Sequence, residues 1–297
     1  MTMRDSRLRE NASLARLTYW RAGGTAERLF EPADVEAVAA YLAELPADEP
    51  VTWLGLGSNV LIRDGGIRGS VIRTPPGLTG IKRVGDDEVD VGAGLACAKL
   101  ARFCSREGLR DAAFFAGIPG TVGGALAMNA GAWGGETWPH VVSVTTLDRS
   151  GVRQERAPTD YRIGYREVVA PAEEWFLSAR LRFRPGGDPA ELNERIRELL
   201  NQRAESQPTG VASCGSVFRN PRGDHAARLI EAAGLKGFRI GGAHVSEKHA
   251  NFIINDNGAS AADIEALIAA VRERVASASG TWLEPEVRII GEEATAT

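Results

Sequence analysis

Apolar positions recur every three or four residues over 33–45, where Val35, Val38, Leu42 and Leu45 share one face behind Pro32. That spacing predicts an amphipathic helix. The same periodicity predicts a helix over 96–107, with Cys97, Leu100, Ala101 and Cys104 on its stripe and Gly108 as its stop. A charged helix over 189–204 turns Leu192, Ile196, Leu199 and Leu200 inward, and a shorter one over 226–233 ends at Gly234. Ser260 and Asp263 form a capping-box start for a last helix with Ile264, Leu267, Ile268, Val271 and Val275 inward. Short apolar or alternating runs predict strands over 50–56, 71–74, 141–147, 175–183, 216–218, 251–254 and 286–290. Residues 81–84 and 88–91 flank Gly85-Asp86-Asp87 and predict a hairpin. Residues 1–16 carry no such pattern and are expected to be a loosely held lead-in. Strands dominate with a few helices, so the fold class is α+β. The polar stretch Gln207-Pro208-Thr209-Gly210 sets a domain boundary, giving 1–205, with an internal break near 75, and 206–297.

Composition narrows the class of partner. The chain has 297 residues, 43% hydrophobic and 25% charged, with a net charge of -4. That is ordinary for a globular protein and gives no reason to expect nucleic acid or a membrane surface. No apolar run approaches the roughly 20 residues needed to cross a bilayer. The first residues lack the apolar core of a secretory signal, so a cytoplasmic location is expected. A monomer is also expected. Cys97, Cys104 and Cys214 lack metal-ligand spacing, and the four histidines form no paired motif, so no metal is expected. Cys97 and Cys104 read as core thiols.

Two glycine-rich turns carry the candidate chemistry. Residues 114–135 are dense in glycine and alanine and almost free of charge. Gly117, Gly120, Gly123 and Gly124 remove side chains that would hold a ligand off the backbone, and successive amides in such a turn can cradle an anion. Close packing of backbone on backbone explains the same glycines, and both readings stay open at this point. The second turn, Gly55-Leu56-Gly57-Ser58-Asn59-Val60, begins like a dinucleotide fingerprint but lacks its third glycine and the following helix. A Rossmann site is therefore disfavoured.

Three further segments stand in order behind these turns: Gly164-Tyr165-Arg166, Gly215-Ser216-Val217-Phe218-Arg219-Asn220-Pro221 and Leu283-Glu284-Pro285-Glu286-Val287-Arg288. Together the five motifs resemble the UDP-N-acetylenolpyruvoylglucosamine reductase family, over roughly residues 17–291. The resemblance implies a bipartite FAD-binding domain of the vanillyl-alcohol-oxidase (PCMH) type, followed by a smaller C-terminal α+β substrate domain. It implies FAD as cofactor, NADPH as hydride donor, and an enolpyruvyl sugar nucleotide as the small-molecule substrate, reduced on the way to peptidoglycan. Only about eight residues separate Arg166 from Trp175, so the chain is similar to the compact form that lacks a tyrosine-bearing loop over the substrate.

The resemblance also implies roles. Hydride delivered to C3 of the enol ether builds negative charge at C2, which spreads into the neighbouring carboxylate. Preorganised donors at such a charge are worth roughly 3–4 kcal/mol each. Arg166 is implied to hold that carboxylate, and Ser216 to protonate C2. Tyr161-Arg162 repeats the Tyr-Arg pair; Arg166 is preferred because Gly164 precedes its pair. The serine that the family usually carries two residues after this arginine is Val168 here. Glu286 is the third catalytic candidate, either orienting Arg166 or sharing a proton. Glu284 is a decoy two residues away. Asn220, Arg219 and His249 are candidates for the uridine diphosphate or sugar. Gly55, Leu56, Gly57, Ser58, Asn59 and Val60, with Gly117, Ile118, Pro119, Gly120, Thr121, Val122, Gly123 and Gly124, are implied to take the FAD diphosphate and adenosine, and Asn129 is a further candidate. The rival readings are another flavin oxidoreductase of the same cofactor fold and a non-catalytic sugar-nucleotide-binding protein.

Overall fold

The computed structural model describes residues 6–294. Its contacts divide the chain into two compact units. One is built from Phe30–Gly55 and Ile72–Arg203, with residues 6–8. The other is built from Arg9–Leu29, Leu56–Val71 and the chain from Ala204 onward. The single cut expected between 205 and 206 is therefore only one of several crossings. The reason lies in long-range pairing inside the second unit. Strand Val60–Ile62 pairs in parallel with Arg288–Ile290. Trp20 is fully buried, donates its indole N–H to the Ile253 carbonyl and accepts at its own carbonyl from Asn255.

The first unit holds a five-stranded antiparallel sheet in the order Arg153–Arg156, Val141–Asp148, Glu174–Arg182, Glu88–Gly92, Ile81–Val84. Its core gathers Val89, Val91 and Leu181 from the sheet, Leu100 and Cys104 from helix Cys97–Arg106, and Leu126 from helix Val122–Met128. A satellite core surrounds helix Val35–Glu44, where Val38, Tyr41 and Leu42 meet Phe30, Ile72, Leu147 and Leu177. Asp34 starts that helix by accepting from the Ala37 amide at 2.8 Å. In the second unit helix Ala261–Ser279 buries Ile264, Leu267, Ile268, Val271 and Val275. Its Ser260–Asp263 capping box forms as expected, and Asp64 adds both carboxylate oxygens to the Ala261 and Ala262 amides. No helix among the described residues is long and apolar enough to cross a membrane.

Several expectations need correction. Residues 1–5 of the lead-in lie outside the described residues, and the rest holds a strand, Arg7–Ser13, followed by a short turn of helix at Ala15–Leu17. Its exposed, polar residues hid it. Strand Thr25–Glu31 was not expected, and the strand placed at 71–74 spans Ile67–Arg73. Residues 216–218 form no strand; Phe218 makes one bridge to Pro285. The strand placed at 251–254 is Ile253–Asn255.

All three cysteines are buried, and burial pushes each thiol up to about 12. At pH 8 each is therefore a neutral thiol, and the native protein is expected to show no reaction with Ellman's reagent until denaturant exposes all three. Tyr161 packs its ring on Trp138 and Phe176, but its buried hydroxyl has no hydrogen-bond partner among the described residues. Tyr161→Phe is expected to raise stability by about 1 kcal/mol in urea unfolding. A loss of that size would contradict an orphaned hydroxyl.

Candidate active site

In the first unit the glycine stretch is not a simple loop. A short 3-10 helix, Ala113–Gly117, leads through Ile118, Pro119 and Gly120 into helix Val122–Met128. Thr121 caps that helix by accepting from the Gly124 amide at 3.3 Å, and Asn129 ends it in the left-handed region at φ 48°. Both caps were visible in the sequence as a Thr and an Asn seven residues beyond its first helical position, but the Gly/Ala content masked the helix between them.

The glycines divide between the two explanations. A Cβ on Gly117 would lie 2.3 Å from the Trp133 ring, and one on Gly123 would press on Ala93 at 3.0 Å. Gly131 and Gly135 pack on protein in the same way. These positions serve close packing. Gly124 is exposed, and a Cβ there would meet only the Thr121 hydroxyl, at 3.7 Å. The Val122 and Gly123 amides donate to the Leu95 and Ala93 carbonyls. Among the described residues no hydrogen bond uses the N–H of Gly120 or Thr121. Gly55, the first glycine of the other turn, faces Thr121, with 3.5 Å between its would-be Cβ and the hydroxyl. Gly55 thus lies beside the start of this helix within the first unit.

Arg166 stands at the tip of a hairpin between Arg162–Gly164 and Glu167–Val169. It has a left-handed backbone, φ 56°, and a half-buried side chain. Its guanidinium donates to the Asn129 carbonyl at 3.3 Å and the Gly131 carbonyl at 2.8 Å. Those bonds fix the plane of the group. Arg162 is exposed on the hairpin's first strand. Three non-glycine residues with positive φ, Asn129, Trp133 and Arg166, gather around these carbonyls. Strain of this kind, on the order of 1–3 kcal/mol each, collects at functional sites. The Asn129 side chain is committed to protein: it donates to Glu136 and the Gly164 carbonyl and accepts from the Trp138 amide. Those bonds tie the end of the helix to the Arg166 hairpin.

In the second unit the two C-terminal motifs are joined. The Val217 carbonyl accepts from the amides of Glu286 at 2.7 Å and Val287 at 3.4 Å. The Arg219 amide donates to the Glu284 carbonyl. Asn59 donates its side-chain amide to the Glu286 carbonyl, and its own carbonyl accepts from Arg288. Glu286 is thus fixed through its backbone on both sides. Gly57 fits only as glycine, with φ +61° and a would-be Cβ 2.1 Å from the Leu17 carbonyl oxygen. Ser216 is half-buried after the left-handed Gly215. Ser213 lies next to this segment with a buried hydroxyl that has no hydrogen-bond partner among the described residues.

The remaining substrate candidates have protein partners. The Asn220 side chain accepts from the Ala226 amide and caps helix Ala226–Ala232. Arg219 pairs loosely with Glu284 at 4.0 Å. His249 stacks edge-on against Phe252, and its Nδ1 accepts from the Asn251 amide. Burial pushes its imidazole below its ordinary value, so it is neutral at pH 7. Sequence reasoning missed Asn251, which is 4% exposed and embraces both backbone groups of Phe218. A lone Asn before an apolar run gives no local signal of that role.

A match to the FAD binding domain, beside this arginine hairpin and the joined C-terminal motifs, defines the class: a flavin-dependent oxidoreductase. Two family models match the chain, the FAD binding domain over residues 26–155 and the UDP-N-acetylenolpyruvoylglucosamine reductase C-terminal domain over residues 207–290. The reductase of Alkalilimnicola ehrlichii is 59% identical over 96% of this chain and 95% of that protein. That of Methylococcus capsulatus is 54% identical over 98% of this chain and 99% of that protein. The crystal structure of the reductase from Thermus caldophilus superposes with a TM-score of 0.83 at 31% identity, covering 96% of this chain and 99% of that one. The chain belongs to the UDP-N-acetylenolpyruvoylglucosamine reductase family.

Two glycine substitutions separate packing from open space. Gly57→Ala forces Cβ into the Leu17 carbonyl and is expected to cost at least about 2 kcal/mol. Gly124→Ala, on an exposed helical position, is expected to be neutral or stabilising by up to about 1 kcal/mol. Urea unfolding of both variants checks the contrast, and equal effects would contradict it.

Proposed function

We propose that Arg166, Ser216 and Glu286 divide the work of reducing an enolpyruvyl sugar nucleotide, with residues 1–205 serving the cofactor and 206–297 the substrate. The chain catalyses the FAD-mediated reduction of UDP-N-acetylglucosamine enolpyruvate to UDP-N-acetylmuramate, with NADPH as hydride donor, in peptidoglycan precursor synthesis. FAD, when bound, carries hydride from NADPH to C3 of the enol ether. The residues present fit its diphosphate: the Gly120 and Thr121 amides sit at a helix start, where the backbone dipole favours an anion, and Gly124 leaves the approach open.

Arg166 takes the substrate carboxylate. Guanidinium suits this because it binds carboxylate bidentately and stays charged. Its bonds to the Asn129 and Gly131 carbonyls aim it before substrate arrives, so no reorganisation is needed when charge spreads from C2 into the carboxylate. Ser216 gives its hydroxyl proton to C2. An unassisted hydroxyl is a weak acid, and it serves because the C2 anion is strongly basic. Glu286 stands beside this step, set there by its bond to Val217. The double acceptance at the Val217 carbonyl is the observation that carries this reading, because it binds the Ser216 and Glu286 motifs into one local structure. The chain is read as a cytoplasmic monomer.

Ser216→Ala tests the assignment in stopped flow. Flavin reduction by NADPH is expected to be nearly unchanged. Reoxidation by substrate is expected to slow by about 10²–10⁴-fold, the range for loss of a general acid. Equal loss in both half-reactions would remove Ser216 from this role.

A further inference from the structure

The segment after Ser216 is paired on one side only, through a single bridge. Phe218 and Pro285 form an antiparallel bridge, flanked by the Glu286 amide to the Val217 carbonyl and the Arg219 amide to the Glu284 carbonyl. In such a pairing the bridge residue's own N–H and C=O point away from the partner. Pro285 could not have donated to Phe218 in any case. The outward side of Phe218 therefore needs a donor and an acceptor, and no strand supplies them. The Asn251 carboxamide does. Its Oδ1 accepts from the Phe218 amide at 3.0 Å, and its Nδ2 donates to the Phe218 carbonyl at 2.8 Å. One residue back, the Asn251 carbonyl accepts from the Val217 amide at 2.9 Å. Asn251 thus acts as the missing strand in a single residue.

The clamp is itself held. The Asn251 amide donates to His249 Nδ1 at 3.3 Å, and the His249 amide donates to the Ser246 hydroxyl. Only a carboxamide presents one donor and one acceptor side by side at this length. Asp would keep the acceptor but, ionised, would face the Phe218 carbonyl with a second acceptor. Ser216 precedes the clamped pair directly, and Gly215 before it is left-handed with no heavy atom within 4 Å of its would-be Cβ. Cys214 anchors the chain on the near side, buried with its thiol against the Gly57 and Val60 carbonyls, so Ser216 is placed by that anchor and by the Val217–Phe218 pair that follows it.

We propose that Asn251 is a positioning residue for protonation: it holds Val217–Phe218 so that the Ser216 hydroxyl is aimed at C2 of the substrate. This rests on reading Ser216 as the proton donor. In the step concerned, the Ser216 O–H bond breaks, a C–H bond forms at C2 using the electron pair left by hydride addition at C3, and the serine oxygen regains its proton from solvent.

Asn251→Asp and Asn251→Ala in the FAD-loaded enzyme test the proposal, with Ser216→Ala alongside. Flavin reduction by NADPH is expected to stay at the wild-type rate in all three. Reoxidation by substrate is expected to slow roughly 10- to 100-fold in the Asn251 variants, the scale of a misplaced reacting group. The loss falls on kcat rather than KM, and the solvent deuterium isotope effect on reoxidation rises as proton delivery becomes limiting. A merely weakened fold would slow both half-reactions and leave that isotope effect unchanged. Amide exchange on the wild-type holoenzyme needs no variant: the Phe218 N–H is expected to be protected although no strand faces it, and fast exchange there would overturn the clamp. Wild-type reoxidation in the Asn251 variants, with Ser216→Ala slow, would overturn the positioning role alone. Wild-type reoxidation in Ser216→Ala would instead overturn the reading on which it rests.

Discussion

One carbonyl organises the C-terminal half of the chemistry. The oxygen of Val217 accepts from the amides of both Glu286 and Val287, which joins two motifs nearly seventy residues apart at the position next to Ser216. A carbonyl has two lone pairs, so this double use leaves no capacity for slack. The consequences spread outward. Glu286 is held on its other side by Asn59, which belongs to the first glycine turn, and Arg288 continues into a strand parallel to Val60–Ile62. The turn that reads as a cofactor motif in sequence is thereby also a structural partner of the acid-bearing segment. This explains why Leu56–Val71 clusters with the C-terminal unit.

The glycine-rich segment 114–135 answers a question that sequence left open. Backbone packing explains most of its glycines, and open space stands at another. Gly117, Gly123, Gly131 and Gly135 are small because protein presses on them, whereas Gly124 faces open space at a helix start. The same segment supplies the carbonyls of Asn129 and Gly131 that aim Arg166. The glycine cluster lets the chain pack tightly enough to carry an arginine in a strained turn, and leaves open space at one position of the helix start.

Much of the secondary structure was legible because its signals are local. Helix Val35–Glu44 followed from the spacing of Val35, Val38 and Leu42, and helix Ala261–Ser279 from the Ser260–Asp263 capping box. What escaped depends on partners distant in sequence or on residues without a propensity of their own. Arg7–Ser13 is a strand of mostly exposed polar residues, and Val122–Met128 is a helix of Gly and Ala that its Thr121 and Asn129 caps define. The linear domain boundary missed the segments whose burial is decided by Trp20 and Leu61 in the second core. At the candidate site, Arg166, Ser216 and Glu286 were picked out by motif context. The side chains of Asn129 and Asn220, both candidates for ligand contact, bind backbone groups of this chain, and Asn251 was not read at all. Asn satisfies backbone donors and acceptors as readily as it does ligand groups, and only the fold distinguishes the two.

The central claim, a flavin enzyme that passes hydride from NADPH to an enolpyruvyl sugar nucleotide, meets its most direct test in one cuvette. The purified protein is predicted to be yellow and to consume NADPH only when enolpyruvyl-UDP-N-acetylglucosamine is added, with UDP-N-acetylmuramate formed in equal amount. A colourless protein, or NADPH consumption at the same rate without that substrate, would contradict it.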